Sequence, residues 1–350
     1  MASTSTVAGV RACWLLPLFR LPIAARSYAQ VVRVAAQLGL ADLLADGPRS
    51  VDDLAVATGT HAPSLARLVR ALAALGVVAE AEGSRVELTP LGATLRSDVP
   101  GSVRDSFLFL VGDWSWRTWG GLLYSVQTGE PAFDRIFGMN NFEYWEHNAE
   151  AGAIHDAFFR TMARTRSAPL VAAYDYTRFG TIVDVGGSNG SLLAAILLAH
   201  PGVRGILFDL PHVVTGAEPV LAEAGVTDRC AVVGGSFFES VPDGGDAYVL
   251  QSVIHDWDDA RSIAILRRCR EAMAPGATLM LIEQILPEHL EAGFAAQQLA
   301  RLDLTMLVLT PGGRERTEGE FRSLLKEAGF ELRAAIPTAS PFSILDAVPA

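Results

Sequence analysis

The feature that most constrains the fold is an alternation of short apolar runs with helical patterns in the second half of the chain. The first run, Thr181–Val185, is rich in β-branched residues, and a helical pattern follows it at 191–199. Further runs lie at 205–208, 230–233, 247–250 and 278–283, with helical patterns at 213–224 and 261–273. This alternation predicts an α/β fold with a doubly wound, mostly parallel, Rossmann-like sheet, whose ligands bind at the carboxyl ends of the strands.

A glycine-rich turn lies at the carboxyl end of the first predicted strand. After Asp184 and Val185 the sequence continues Gly186-Gly187-Ser188-Asn189-Gly190 before the helical pattern begins. Glycines let the backbone approach a ligand closely, and a helix start offers free amide donors. The glycine spacing departs from the G-x-G-x-x-G pattern of dinucleotide-binding proteins. Asp184 would also repel a pyrophosphate, so the turn favours a ligand that carries positive charge.

The ends of the next two predicted strands favour a nucleoside-containing ligand. Asp209 ends the second strand, where a carboxylate can accept hydrogen bonds from both ribose hydroxyls. The alternative is that Asp209 caps the helix that follows. Residues 234–238 come after the third strand, and their backbone, together with Phe237, is suited to surround an adenine ring.

The first hundred residues predict a winged-helix pattern. A helical pattern over 27–44 ends near Gly39, two further helices begin at Ser50 and Pro63, and a hairpin follows at 77–88. A winged helix raises the alternative of a DNA-binding regulator. However, this region carries acids at 52, 53, 80, 82 and 87 against arginines at 67, 70, 85 and 96, and the whole chain has a net charge of −11. Because phosphate binding requires a basic surface, dimerisation or packing is favoured and no nucleic-acid partner is expected.

Neither the cysteines nor the apolar segments indicate export or a membrane. Cys13, Cys230 and Cys269 form no C-x-x-C pair, which favours reduced thiols and no disulfide. The apolar segment 12–25 is interrupted by prolines and an arginine, and falls short of the ~18 residues that span a bilayer. We therefore expect a cytoplasmic protein without a membrane partner. A signal peptide is a weaker alternative.

Residues 103–176 are mainly helical in pattern and rich in aromatic side chains. Most of these side chains are expected to pack in the core, and a minority to line a pocket for a flat ligand.

Three downstream motifs complete the pattern and carry a resemblance to a known family. They are Leu250-Gln251-Ser252-Val253-Ile254-His255-Asp256-Trp257-Asp258-Asp259, Asp303-Leu304-Thr305-Met306-Leu307, and Gly312-Gly313-Arg314-Glu315-Arg316-Thr317-Glu318-Gly319-Glu320-Phe321. Together with the glycine-rich turn, they resemble the caffeate-type plant and bacterial small-molecule O-methyltransferases over nearly the whole chain after residue 25. The resemblance implies a winged-helix dimerisation domain over 1–100, a helical region at 101–176 that contributes to the substrate pocket, and a catalytic domain over 177–350. It also implies a homodimer, with 25–44 as the intertwined helix.

The resemblance further implies the cofactor, the reaction and the residues that serve it. The cofactor is S-adenosylmethionine, which leaves as S-adenosylhomocysteine, and the acceptor is a hydroxyl of a small aromatic secondary metabolite. His255 is the expected general base, with Glu283 and Glu315 beside it. The expected cofactor-binding residues are Asp184, Gly186, Gly187, Gly190, Asp209, Leu210, Ser236, Phe237, Gln251 and Trp257. The expected substrate contacts are Phe158, Met162, Met306 and Thr310. No metal is expected.

Alternatives remain for several of these residues. Glu315 has the alternative of a plain ion pair with its arginine neighbours, Glu283 that of a solvated residue, and Asp256 those of capping the next helix or supporting the loop. The sequence departs from the family where Ser188 replaces a glycine, Ser236 an aspartate and Gln251 a lysine, and Ser236 predicts weaker cofactor binding. Methylation of nitrogen or carbon, or cofactor-assisted hydroxylation, are the alternative reactions on the same fold.

Overall fold

The computed structural model describes residues 24–350 and divides after Trp116 into two compact units. Cys13 and most of the apolar segment at 12–25 lie outside the described residues. Within the part of the chain that is described, no helix is both long enough and apolar enough to cross a membrane.

The first unit has the predicted order of helices followed by a hairpin. Its elements are α1 (24–37), α2 (Leu40–Leu43), β1 (Arg49–Ser50), α3 (Val51–Thr58), α4 (Ala62–Ala74), β2 (Val78–Ala81), β3 (Arg85–Leu88), α5 (Pro90–Ala93) and α6 (Arg104–Leu110). As predicted, the Ser50 side chain caps α3 by accepting from the Asp53 amide. Leu54, Leu65 and Leu72 are buried on the inner faces of α3 and α4, and the three strands form an antiparallel sheet beside them.

The chain between α6 and the main sheet is mainly helical. Its helices are α7 (Asp113–Gly120), α8 (Leu122–Thr128), α9 (Ala132–Phe137), α10 (Asn141–His147) and α11 (Ala149–Ala172). Phe133 and Trp145 are buried and form an aromatic cluster with Phe137 and Tyr144, as expected for core residues. In contrast, Phe142 is 39% exposed.

The second unit contains the predicted doubly wound sheet. Its strands are β4 (Thr181–Val185), β5 (Arg204–Asp209), β6 (Cys230–Gly234), β7 (Ala247–Gln251), β8 (Thr278–Glu283), β11 (Phe330–Pro337) and β12 (Ser343–Pro349), in the order β11-β12-β8-β7-β4-β5-β6. A short parallel pair lies apart from it, β9 (Ile285–Leu286) with β10 (Arg316–Thr317). The helices are α12 (Ser191–Ala199), α13 (Pro211–Val214), α14 (Ala217–Glu223), α15 (Asp259–Ala272), α16 (Phe294–Leu309) and α17 (Glu318–Glu327).

The topology places a ligand crevice at the predicted position. Strands β4 to β8 are parallel, and β4 lies between β5 and β7, so the direction of winding reverses there. The carboxyl ends of β4 and β7 therefore flank a crevice, where doubly wound sheets bind their ligands. The antiparallel strands β11 and β12 extend the sheet on the β8 side and were not identified from the sequence.

Two local predictions need correction. The helix predicted over 213–224 is two short helices, because Pro219 has no amide hydrogen with which to continue a helix from Thr215. The side chain that caps α15 is Asp258, which accepts from the Arg261 amide, and not Asp256.

Candidate active site

The turn after β4 is a cradle in which Gly186 and Gly187 leave no room for a larger side chain. Gly186 and Gly190 have φ angles of 70° and 75°, and Gly190 begins α12. A Cβ atom on Gly186 would lie 2.9 Å from Val253 Cγ2, and one on Gly187 would lie 2.6 Å from the Asp184 carboxyl carbon. Ser188 also has a positive φ of 54°, at the position where the family has glycine. The backbone here is shaped for close approach by a ligand.

Asp209 is hydrogen-bonded to this cradle. Its Oδ2 accepts from the Ser188 amide at 2.8 Å, and its Oδ1 accepts from the Leu210 amide at 2.7 Å. The N-cap position of α13 is Leu210, which makes no side-chain capping bond, so the capping alternative for Asp209 is not supported. Asp209 thus lies at the end of β5, where a carboxylate can accept from a ribose.

Asp184 lies behind the turn, and its charge is only partly compensated. It is 2% exposed, and its Oδ2 has no hydrogen-bond partner among the described residues. Burial, followed by the nearby charge of Asp209, raises the pKa of Asp184 to about 7. Two carboxyl groups and a ring of backbone amides suit a ligand that combines positive charge with polar nucleoside groups. The residues present therefore fit S-adenosylmethionine.

An aromatic group lies beyond the next two strand ends. The Trp257 ring meets the Phe238 and Phe237 rings edge-on, with ring centroids 4.8 and 6.1 Å apart. The Phe142 ring stacks on Trp257 with centroids 5.8 Å apart and an interplanar angle of 15°. The indole nitrogen of Trp257 is buried without a hydrogen-bond partner in the described chain. Ser236 accepts from the Phe238 amide, and so shapes the loop in which Phe237 lies. These rings are suited to hold an adenine; Phe142 and Phe238 were not singled out from the sequence.

The other two predicted cofactor contacts lie at strand ends. Gln251 ends β7 and is half-buried, and Leu210 follows β5 and is 37% exposed.

The short turn Ile254–Asp256, which follows β7, presents the predicted base. Glu283 ends β8 and is fully buried; its Oε1 accepts from the amides of Val253 and Ile254 at 3.2 and 2.9 Å. The alternative of a solvated Glu283 is therefore wrong, and this carboxylate holds the backbone on which His255 stands.

His255 is surrounded by carboxylates. Its Nδ1 lies 2.9 Å from Glu315 Oε1 and 3.7 Å from Glu283 Oε2, and its Nε2 lies 3.6 Å from Asp256 Oδ1. Burial disfavours the imidazolium, but the carboxylates of Glu283, Asp256 and Glu315 outweigh it and raise the pKa of His255 well above its ordinary value. Since these groups interact so closely, they titrate as a unit.

Glu315 is not a plain ion-pair partner of the arginines beside it. Arg314 pairs with Asp259 and Glu320, and Arg316 pairs with Asp259. The Glu315 side chain instead faces His255, and its amide donates to Asp303. The Oε2 atoms of Glu283 and Glu315 are buried and have no hydrogen-bond partner within residues 24–350. Unpartnered acceptors beside an imidazole are suited to receive a hydroxyl hydrogen.

Three of the four predicted substrate contacts lie on two helices, and the fourth follows one of them. Phe158 is buried on α11 and Met162 is half-buried one turn later. Met306 is buried near the end of α16, and Thr310 follows that helix with its hydroxyl donating to the Met306 carbonyl at 2.9 Å. The hydroxyl of Thr310 is thus already engaged within the helix end.

Comparisons with known proteins identify the family. A family profile for the O-methyltransferase domain matches residues 119–331, and one for the O-methyltransferase dimerisation domain matches 24–98. The phenazine O-methyltransferase PhzM of Lysobacter antibioticus is 45% identical over 91% of this chain and 92% of its own.

Two solved structures are similar throughout. The mitomycin 7-O-methyltransferase MmcR has a TM-score of 0.90 and 35% identity, covering 98% of this chain and 100% of its own. The O-methyltransferase NcsB1 of neocarzinostatin biosynthesis, solved with S-adenosylmethionine and 2-hydroxy-5-methyl naphthoic acid, has a TM-score of 0.80 and 35% identity, covering 92% and 96%. The chain therefore belongs to the S-adenosylmethionine-dependent O-methyltransferase family, with both the catalytic and the dimerisation domain of that family.

Proposed function

We propose that this enzyme methylates a hydroxyl group of a small aromatic secondary metabolite, with His255 as the general base. The observation that carries the proposal is the contact between His255 Nδ1 and Glu315 Oε1 at 2.9 Å. A carboxylate on Nδ1 fixes the ring and stabilises the imidazolium, so that Nε2 is the nitrogen that accepts a proton.

The chain's own residues perform the acid–base part of the reaction. A neutral phenol is a poor nucleophile, so the hydroxyl proton must leave as the oxygen attacks. His255 Nε2 takes that proton, and Glu283 and Glu315 hold the resulting positive charge inside a buried setting. S-adenosylmethionine, when bound, supplies the electrophilic methyl group.

The cofactor is assigned to the crevice of the second unit. The glycines at 186, 187 and 190 let the backbone approach the cofactor closely, and Asp184 lies behind them as a negative group. The ribose is assigned to Asp209 and Leu210, and the adenine to the loop and rings of Ser236, Phe237 and Trp257, with Gln251 at the end of β7.

The acceptor is assigned to the apolar and aromatic surface of α11 and α16. Phe158, Met162 and Met306 offer a ring and two adaptable thioethers, which suit a flat aromatic molecule, and Thr310 closes the end of α16. The relatives are named for phenazine and mitomycin, and one was solved with a naphthoic acid, so a fused-ring phenol is the acceptor class to test first. We propose that region 1–100 serves dimerisation, region 101–176 substrate binding and region 177–350 catalysis.

The dimerisation domain makes a homodimer the proposed assembly, with the segment 25–44 at its centre. Sedimentation of the full chain tests this, because a monomer at micromolar concentration would contradict it.

A mass-spectrometric assay with S-adenosylmethionine and a panel of fused-ring phenols tests the reaction. The expected product is heavier by one methylene unit, and His255→Ala should lower its rate ~10²–10⁴-fold, the usual scale of general-base removal. His289→Ala, at an exposed histidine in the loop after β9, is the matched control and should retain activity. Equal rates in wild type and His255→Ala would overturn the mechanism, and a product heavier by one oxygen atom would indicate hydroxylation instead.

A further inference from the structure

Arg316 is an arginine with a fully buried side chain in the immediate surroundings of the histidine turn. Its guanidinium donates from Nη1 to the Ile254 carbonyl at 3.0 Å and from Nη2 to the Trp257 carbonyl at 2.8 Å. Both Nε and Nη2 donate to Asp259 Oδ1, at 3.1 and 2.7 Å. The three nitrogens of the Arg316 guanidinium thus hold the two ends of the histidine turn and the start of α15.

The backbone of the turn is held from the other sides as well. Glu283 accepts from the amides of Val253 and Ile254, and the Arg314 amide donates to the His255 carbonyl at 2.8 Å. The strand β10 begins at Arg316 and pairs with β9, which fixes the position from which the guanidinium reaches inward. Glu315, one residue earlier, reaches the imidazole. Neighbouring residues of one segment therefore hold the ring and the backbone of His255.

We propose that Arg316 is a positioning residue that fixes the base, His255, and the adenine-side ring, Trp257, in one geometry. The proposal rests on the proposed function for the role of the base. The carbonyls that Arg316 holds belong to Ile254, directly before His255, and to Trp257 itself. If the guanidinium fork is lost, the turn is free to change its φ and ψ angles, and both rings move with it.

A lysine cannot replace this fork. An ammonium group is a compact point charge, whereas a guanidinium presents five N–H donors in fixed directions within a plane. The contacts here use three different nitrogens toward two carbonyls and one carboxylate. We therefore expect Arg316→Lys to keep the charge and lose the geometry.

The matched control is Arg333→Lys. Arg333 also donates from Nε and Nη2 to a single carboxylate oxygen, Asp346 Oδ1, at 3.2 and 2.9 Å, but it lies on β11, at the far edge of the sheet. Both variants break an arginine fork on a carboxylate, and only Arg316→Lys releases the histidine turn. Thermal unfolding of each variant shows whether it has folded.

Two measurements distinguish positioning from simple support. The first is the NMR titration of the His255 ring in histidine-labelled protein, with its signal assigned by loss in His255→Gln. In Arg316→Lys this titration should move toward the ordinary histidine range, because the ring leaves its carboxylates. The second is turnover at the high-pH plateau, where we expect kcat to fall ~10–100-fold, because a reacting group misplaced by about an ångström loses rate on that scale. Arg333→Lys should change neither value.

A folded Arg316→Lys variant with wild-type His255 titration and wild-type kcat overturns the proposal. If Arg316→Lys does not fold, Asp259→Asn decides, because Asp259 is 53% exposed and its charge orients the guanidinium. We expect a smaller shift of the His255 titration in the same direction, and no shift overturns the proposal. If the wild type methylates no phenol while its His255 titration still responds to these variants, the proposed function fails and the positioning role stands.

Discussion

Nδ1 of His255 and Oε1 of Glu315 lie 2.9 Å apart although 60 positions of chain separate them. The contact joins the turn after β7 to the segment before α17 and gives the imidazole a fixed orientation. Glu283 acts differently: it holds the amides of the same turn through Oε1, while its Oε2 remains 3.7 Å from the ring. One carboxylate therefore orients the ring and the other orients its backbone.

This division of roles makes Glu315→Gln informative. The amide retains the size of the side chain but not the charge that stabilises the imidazolium, so kcat on the high-pH plateau should fall ~10–100-fold. The KM for S-adenosylmethionine should change little, because Glu315 lies on the histidine side of the site. Glu318→Gln, which removes the partner of Arg322 on the surface of α17, is the control. A wild-type kcat in Glu315→Gln contradicts the orienting role.

The carboxylates around His255 also predict a pH profile. They raise the pKa of His255, and the base works only when its ring is neutral, so kcat should increase as the pH rises above neutrality. In Glu315→Gln, with one carboxylate removed, the pKa falls and the rising limb should move to lower pH. Steady-state rates between pH 6 and pH 10 measure both profiles. We expect the rising limb to move by roughly one pH unit for the carboxylate that is lost. Identical limbs in the two proteins refute this account.

Asp184 predicts that cofactor binding releases protons. Its buried carboxyl has a pKa raised to about 7, so part of the population carries a proton at neutral pH. A bound cation favours the carboxylate, lowers this pKa and so expels the proton; affinity should therefore rise with pH through this range. Calorimetry with S-adenosylmethionine at pH 7, in buffers of different ionisation enthalpy, measures the release. Asp184→Asn should reduce it, while Asp228→Asn, on the exposed loop before β6, should not. Equal proton release in Asp184→Asn and wild type refutes the assignment.

Much of this site could be predicted from the sequence because its signals are local. The strand before the glycine turn, Asp209 at the next strand end and the His255 motif each lie within a few residues of a recognisable element. The periodicity of apolar runs gave the parallel strands, and the chemistry of a carboxylate at a strand end indicated the use of Asp209, whereas the role of His255 followed from the family resemblance.

What could not be predicted depends on contacts between distant segments. The burial of Arg316 and its bonds to the histidine turn follow from where β10 pairs, which the sequence does not show. The stacking of Phe142 on Trp257 joins α10 to the end of β7 across more than a hundred residues. The sequence offered one signal for Arg316, its place directly after Glu315 in the motif. In an extended segment, successive side chains point in opposite directions.

Trp257 provides a test of the adenine side. Removing an aromatic ring that stacks on a base costs ~1–3 kcal/mol, so Trp257→Ala should raise the KM for S-adenosylmethionine roughly 10-fold or more. The effect on kcat should be smaller at saturating cofactor, since His255 is oriented by Glu315 Oε1. Phe294→Ala, at a ring that is 77% exposed at the start of α16, controls for loss of an aromatic side chain. An unchanged KM in Trp257→Ala would place the adenine elsewhere.

Gly187 tests whether the turn is shaped for close approach. A Cβ atom there would lie 2.5 Å from Leu207 Cδ1 and 2.6 Å from the Asp184 carboxyl carbon, so neighbouring atoms must shift. Because this overpacking displaces the cradle, Gly187→Ala should destabilise the chain by about 1–3 kcal/mol and weaken S-adenosylmethionine binding at least several-fold. Gly216→Ala is the matched control: a Cβ there meets only the Val213 carbonyl, at 3.6 Å, and φ is −81°. Chemical denaturation and calorimetry of both variants measure the two effects. A Gly187→Ala variant as stable and as tight in binding as Gly216→Ala would mean that the cradle tolerates a side chain, and that the cofactor does not depend on its close backbone.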